Sequence, residues 1–268
     1  MSSSALVMKL TIQAGSEIVK HRSPIIDYIS NKSKGFISTD VVVTGTPGVG
    51  KSIFIGNIDS FIKEKYPVKP DLSNDIEINI IRVNDDFLPK KVVVIPGQSG
   101  SEQNNAFRKL IINNEKLSGI IHVVDFGCTK PRSDMSEMHY TSIGIDTLEK
   151  LRLYFIDEEI LYFNNLVSMI KSSKNKIKWL HIVINKIDLF SQQLEQAVNH
   201  YHENEFGSIV KELCNHIGSD FKVSYSFAIS SRDNLTFNNE SRTSIVDNKM
   251  NENLLREGFI SELAKNFK

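Results

Sequence analysis

Residues 45–52 read Gly45-Thr46-Pro47-Gly48-Val49-Gly50-Lys51-Ser52, directly behind the apolar run Val41-Val42-Val43 and ahead of a segment whose apolar residues fall at helical spacing. No other feature constrains the fold as much. A buried strand has to deliver the backbone into a glycine-rich turn, and that turn has to open straight into a helix. Successive backbone N–H groups of such a turn converge on one point, and the positive end of the helix aims at the same point, so the unit suits phosphate oxygens. In this pattern Lys51 reaches terminal phosphates and Ser52 ligates Mg²⁺.

A second transition from strand to polar loop follows the run Trp179-Leu180-His181-Ile182-Val183-Ile184, in Asn185-Lys186-Ile187-Asp188. The edge of guanine presents N1–H and a 2-amino group as donors, so a carboxylate at Asp188 can take two hydrogen bonds that adenine does not offer. The expected nucleotide is therefore GTP or GDP. Asn185 is expected to tie this loop back to the glycine-rich turn, and the aliphatic stem of Lys186 to lie over the base. Both loops leave the C-terminal ends of strands, where doubly wound sheets hold their ligands.

Between and beyond these loops, apolar strand patterns alternate with helical ones, which predicts an α/β domain, doubly wound around a mostly parallel sheet. Strands are expected at 40–44, 76–83, 91–95, from Ile120, at 179–184 and at 223–229, with helices over 51–66, 102–117, 148–171 and 192–214. The connection at 84–89 is too short for a parallel crossover, so the strands it joins are expected to be antiparallel.

With its motifs in this order, the chain from about Ser38 to Lys268 resembles the Ras-like and translation-factor branch of the P-loop GTPases. Val92-Val93-Val94-Ile95-Pro96-Gly97-Gln98 resembles the D-x-x-G-Q segment, in which Gly97 would meet the γ-phosphate and Gln98 would orient the attacking water. Ser230-Ser231-Arg232, after the strand pattern at 223–229, resembles the S-A-K element that meets guanine O6. The resemblance implies a nucleotide site built from Gly45, Pro47, Gly48, Val49, Gly50, Lys51, Ser52, Ile53, Gly97, Asn185, Lys186, Asp188, Ser230, Ser231 and Arg232. Lys51 and Gln98 would be catalytic, and Ser52 and Ser73 would serve the metal. It also implies a Ras-like sheet, slow hydrolysis of GTP and a switch acting on an effector or regulatory protein.

Two departures from the family pattern bear on the metal and on hydrolysis. The acid of D-x-x-G falls on Val94, and residues 91–98 contain no carboxylate at all. Asp125 is either a stand-in for that acid or a turn residue leaving the fourth strand. Tyr66 to Ile80 contains no Thr for the first switch, which leaves Ser73 either to act there or to sit in a solvated turn. The alternative to a switch is a nucleotide-locked scaffold with negligible turnover.

The charge balance, with 32 Lys and Arg against 32 Asp and Glu, provides no global field to recruit nucleic acid or an anionic membrane. Cys128 and Cys214 lack metal-ligand spacing and are expected to be free thiols in a reducing, cytoplasmic setting. Met1 to Leu10 lacks a secretory or membrane-spanning run, Ser2 replaces the glycine of a myristoylation signal, and the last residues contain no prenylatable Cys, so no membrane anchor is expected. No motif specifies an oligomeric state. Residues 1–37 are expected to form a helical extension that packs on the domain or serves as an arm for a partner, and 38–268 the GTPase domain. A long polar loop at about 127–146 is expected to be either disordered or a lid carrying Arg132 or His139. The stretch 231–251 is expected to be mobile ahead of a terminal helix.

Overall fold

The valine run at 41–43 forms a strand because both of its faces are covered. In a computed structural model of the protein, residues 39–56, 77–81, 90–95, 101–173, 175, 177–229 and 234–245 are described, together with 255, 258, 259, 261, 262 and 265. The expected extension at 1–37, Ser73, Gly97, Gln98 and Ser230 to Arg232 lie outside the described residues. Six strands, β1 (Thr39–Thr44), β2 (Glu77–Ile81), β3 (Lys90–Val94), β4 (Gly119–Val124), β5 (Trp179–Ile184) and β6 (Lys222–Phe227), form one sheet in the order β2-β3-β1-β4-β5-β6. β3, β1, β4, β5 and β6 run parallel, and β2 pairs with β3 antiparallel from Glu77 opposite Val94 to Ile81 opposite Lys90.

Alternate side chains of β1, β3, β4 and β5 enter two separate cores, as expected for parallel strands buried on both faces. Val42, Val93, Ile120, Leu180 and Ile182 point to one side, under α2 (Ser101–Phe107), α4 (Leu148–Ser172), α5 (Leu194–His202) and α6 (Glu205–Ile217). Val41, Val43, Val92, Val94, Ile121, Val123 and Val183 point to the other, where Phe54 and Ile55 of α1 (residues 51–56) meet Phe259. α4 is the longest helix among the described residues. Its Thr147 cap accepts the Lys150 N–H, and Leu151, Phe163, Leu166 and Val167 line its buried side.

Four expectations from sequence need correction. The polar stretch at 127–146 contains a helix, α3 (Asp134–Ser142), whose Ser133 side chain accepts the Ser136 N–H and whose first turn carries Asp134 and Glu137 against the helix dipole. Arg132 and His139 are exposed on this segment. The single helix expected over 192–214 is two helices, α5 and α6, broken where the Glu203 and Asn204 N–H groups both donate to the Asn199 carbonyl. Gly207 permits this break, since a Cβ there would lie 2.3 Å from the His202 carbonyl oxygen. The helix expected to run to 117 passes from α2 into a π-helical turn at Arg108–Ile112, with Asn113 N–H on the Arg108 carbonyl. Finally, the stretch 231–251 contains a hairpin of β7 (Leu235–Phe237) and β8 (Glu240–Arg242). Leu235 and Phe237 are buried on either side of an exposed Thr236, and Asn238 and Asn239 adopt φ of 45° and 65°, the two positive values of a type I′ turn.

Two imidazoles are enclosed in the sheet. His122 on β4 shares a hydrogen bond with Thr44 Oγ1 at 2.9 Å and packs against Phe163, and His181 on β5 meets Ser224 and Ser226 hydroxyls at 2.7 and 2.8 Å. Burial, with the Lys51 charge adding to it at His122, lowers both to about 3 from the ordinary 6.5. Below pH 6.5 the unfolded chain takes up protons that the folded chain refuses, so stability is lost as the pH falls from 6.5 toward 3. At pH 5 each imidazole accounts for about 2 kcal/mol of that loss. Glu159 acts in the opposite sense. Burial and the neighbouring Asp125 carboxylate raise it well above the ordinary range, so the folded state keeps a proton that the unfolded state releases above about pH 4.5. Urea titrations between pH 6 and 5 should therefore show Glu159→Gln losing stability more steeply than wild type as the pH falls. Equal slopes would mean that Glu159 is ionised in the fold.

Candidate functional site

The C-terminal ends of β1, β4 and β5 place three loops side by side, at 45–50, 125–129 and 185–188. At Gly45 the first loop passes so close to β4 that a Cβ would lie 2.3 Å from the Val123 carbonyl oxygen. Gly48 adopts φ of 84° at the loop's exposed tip, where a side chain would also meet the Thr129 methyl group. α1 then begins at Lys51, and the Phe54 N–H closes on the Gly50 carbonyl. First-turn N–H groups of a helix have no acceptor within the helix, so this turn presents donors and positive potential on the side the loop surrounds. Lys51 folds back into the turn with Nζ 2.8 Å from the Gly45 oxygen and 2.9 Å from the Thr46 oxygen, and it is 7% exposed. Pro47, Ser52 and Ile53 are half-buried around it and Val49 is buried.

The 185–188 loop is fastened to the first by side chains. Asn185 donates from Nδ2 to the Val49 carbonyl at 2.7 Å, and Lys186 donates from Nζ to the Gly48 carbonyl at 2.8 Å. Lys186 adopts a left-handed backbone, with φ of 57°, at the head of the short 3-10 turn Ile187–Leu189. Its ammonium also binds the Asp125 carboxylate at 2.6 Å and the Cys128 carbonyl at 3.0 Å. Asp125, entering the turn closed by Cys128 N–H on its carbonyl, accepts the Thr129 hydroxyl at 2.8 Å as well. Asp125 is thus a turn residue and the counter-ion of Lys186. A pair this deeply buried resists loss of either member, because the survivor would be an unpaired charge in an apolar setting.

Asp188 is fully buried and its Oδ2 accepts the Ser244 hydroxyl at 2.7 Å. Behind Asp125, Glu159 of α4 accepts the Asp125 N–H at 2.9 Å and the Tyr201 hydroxyl proton at 2.8 Å, while Tyr201 accepts the Phe126 N–H. Tyr162 of α4 accepts the Gly45 N–H at 3.4 Å and hydrogen-bonds with the Gln103 side chain of α2. Cys128 is inert as a nucleophile, since burial first and then the Asp125 charge raise its thiol to about 12.

The expected cation ligands are sparse. Val94 is 2% exposed within the core that holds Val41, Val43, Val49 and Phe54, so β3 presents an apolar wall where the resemblance calls for an acid. Among the described residues no group of three or more His, Cys, Asp or Glu could hold a metal. Ser52 is the expected ligand that the structure describes, and a lone hydroxyl suits a cation whose remaining oxygens come from phosphate and water. Among the described residues no helix is long and apolar enough to cross a membrane, and both cysteines are free.

The structure brings 45–53 together with Asn185 and Lys186 as one unit, with Asp188 at the far end of the second loop. Sequence reading missed Thr129 over Gly48, Tyr162 behind Gly45 and Ser244 on Asp188. Each is a lone polar residue on a different element, and only the fold makes it a neighbour. Compared with known proteins, the chain matches no family model, and no curated protein aligns with it significantly.

Proposed function

We propose that the protein binds GTP or GDP with Mg²⁺ across the C-terminal ends of β1, β4 and β5, and that it is a slow GTP-hydrolysing switch of the Ras-like type acting on an effector protein. The observation that carries this reading is the pair of bonds from Asn185 to the Val49 carbonyl and from Lys186 to the Gly48 carbonyl. They lock a carboxylate loop to a glycine-rich turn, so that one ligand can span from phosphate to base. The antiparallel edge strand β2 on an otherwise parallel sheet adds support for the Ras-like reading.

In this reading the backbone of 45–50 and the head of α1 bind the phosphates. Lys51 neutralises their terminal charge, Ser52 ligates Mg²⁺, and Asp188 accepts the guanine N–H groups. Bound Mg²⁺ would supply charge neutralisation at the phosphate oxygens. Gln98 would hold the attacking water, and the backbone at Gly97 would approach the terminal phosphate.

A second reading, the nucleotide-locked scaffold, draws support from Val94, whose place in the core denies the metal a carboxylate from β3. Nucleotide extracted from the purified protein should be guanine, and single-turnover hydrolysis should proceed on the order of 10⁻⁴ s⁻¹ or slower. Gln98→Leu should abolish it. If wild type and Gln98→Leu are equally inert, alone and with cell extract added as a source of partners, the scaffold replaces the switch.

A further inference from the structure

We infer that Ser244, just beyond the β7–β8 hairpin, is the positioning residue for the Asp188 carboxylate. The inference rests on the proposed reading of Asp188 as the group that recognises guanine. Two contacts grip that residue from the same short stretch of chain. The Ser244 hydroxyl donates to Oδ2 at 2.7 Å, and the Ile245 N–H donates to the Asp188 backbone carbonyl at 3.2 Å. The first fixes the rotation of the carboxylate and the second fixes the loop that carries it.

The stretch can act as a fixed point because the hairpin before it is fastened to several elements. Leu235 and Phe237 are buried in the core shared with α4 and α5. At the turn, the Asn238 N–H donates to Glu137 Oε1 of α3 at 2.6 Å, and Asn238 Nδ2 donates to the Asp146 carbonyl at 2.7 Å. Glu240 Oε2 accepts the Leu148 N–H at 2.8 Å, capping the first turn of α4, and Arg242 donates to Gln193 Oε1 at 3.1 Å. Helices α3 and α4 and the turn at 191–193 therefore all hold the frame from which Ser244 reaches Asp188.

The chemistry requires such a frame. Guanine offers two parallel N–H donors, and a carboxylate accepts both only when its plane is edge-on to the base. An oxygen that accepts a serine hydroxyl retains a further lone pair for a ligand N–H. A hydroxyl bonded to an ionised carboxylate is among the stronger hydrogen bonds, so it restricts the carboxylate at modest entropic cost.

The test compares GTP, ITP and ATP affinities of the full chain for wild type, Ser244→Ala, Ser244→Thr and Asp188→Asn, with thermal melts of each protein freed of nucleotide. ITP keeps N1–H and lacks the 2-amino group, so it reads bidentate recognition separately from overall binding. Ser244→Ala should weaken GTP about tenfold, weaken ITP less, and so reduce the GTP to ITP ratio. Ser244→Thr, which keeps the hydroxyl, should restore that ratio, and the melts should agree within a few degrees. Equal losses for GTP, ITP and ATP, no loss, or tighter GTP binding in Ser244→Ala would overturn the positioning role while a guanine preference in wild type left the Asp188 reading intact. A wild type that does not prefer GTP over ATP, with Asp188→Asn unchanged from it, would remove the Asp188 reading and this inference together.

Discussion

Replacing Lys51 with alanine is expected to weaken GDP and GTP binding by a hundredfold or more while leaving guanosine binding within a few fold. The ammonium is held inside the turn by the Gly45 and Thr46 carbonyls, 7% exposed, and those two oxygens are neutral. An ammonium this far from bulk water acts more strongly on an anion in the same turn than it would in solvent. Hydrogen bonds to charged groups contribute about 1.5–3 kcal/mol each, so losing two of them with a polyphosphate amounts to about 10²–10⁴ in affinity. Guanosine has no phosphate and should not register the change. Calorimetry with guanosine, GMP, GDP and GTP separates this from a structural role. If Lys51 instead serves to pin the Gly45 and Thr46 carbonyls, all four ligands lose affinity together, and the phosphate assignment fails.

The parts of this architecture legible in the sequence are those set by short-range pattern. Val41 to Val43 and Trp179 to Ile184 read as buried strands because parallel strands covered on both faces need unbroken apolar runs, and both are strands in the structure. The Asn185 tie was legible too, since its partner loop was already expected at the same sheet edge. What escaped was polar by composition and ordered by contacts from afar. The hairpin at 235–242 carries only two buried apolar residues, and its Asn238-Asn239 turn lies in a stretch rich in Ser, Asn and charge. The α3 segment buries none of its residues, so its apolar Met135 and Met138, both exposed, offer no helical stripe to read. Its order comes from the Ser133 cap, from Glu137 meeting Asn238 and from Tyr140 packing on Tyr154 and Phe155. Asp125 shows the limit most clearly. An acid at a strand tip reads as a turn residue or as a stand-in metal ligand, and only the fold reveals that Lys186 pairs with it.

Asp188→Asn should lower GTP affinity by about 30–150-fold and raise the relative affinity for XTP. Its carboxylate is fully buried, so each hydrogen bond it makes to a ligand is made away from water, and exchanging an ionised acceptor for a neutral amide costs about 2–3 kcal/mol. The sign of the specificity change follows from the neighbour already in place. Ser244 donates to one side of the Asp188 head group, so an amide there presents its carbonyl oxygen to Ser244 and turns its NH₂ toward the base. An NH₂ facing the 2-amino group of guanine sets donor against donor, whereas the 2-oxo group of xanthine accepts from it. The same variant should leave the Lys51 end of the site untouched, so the gain from GMP to GDP to GTP should be preserved within each base series. Competition titrations with GTP, XTP and ATP against one labelled ligand decide the case. An unchanged preference for GTP in Asp188→Asn would take this carboxylate out of base recognition and return the loop at 185–188 to the role of a strut that holds the glycine-rich turn.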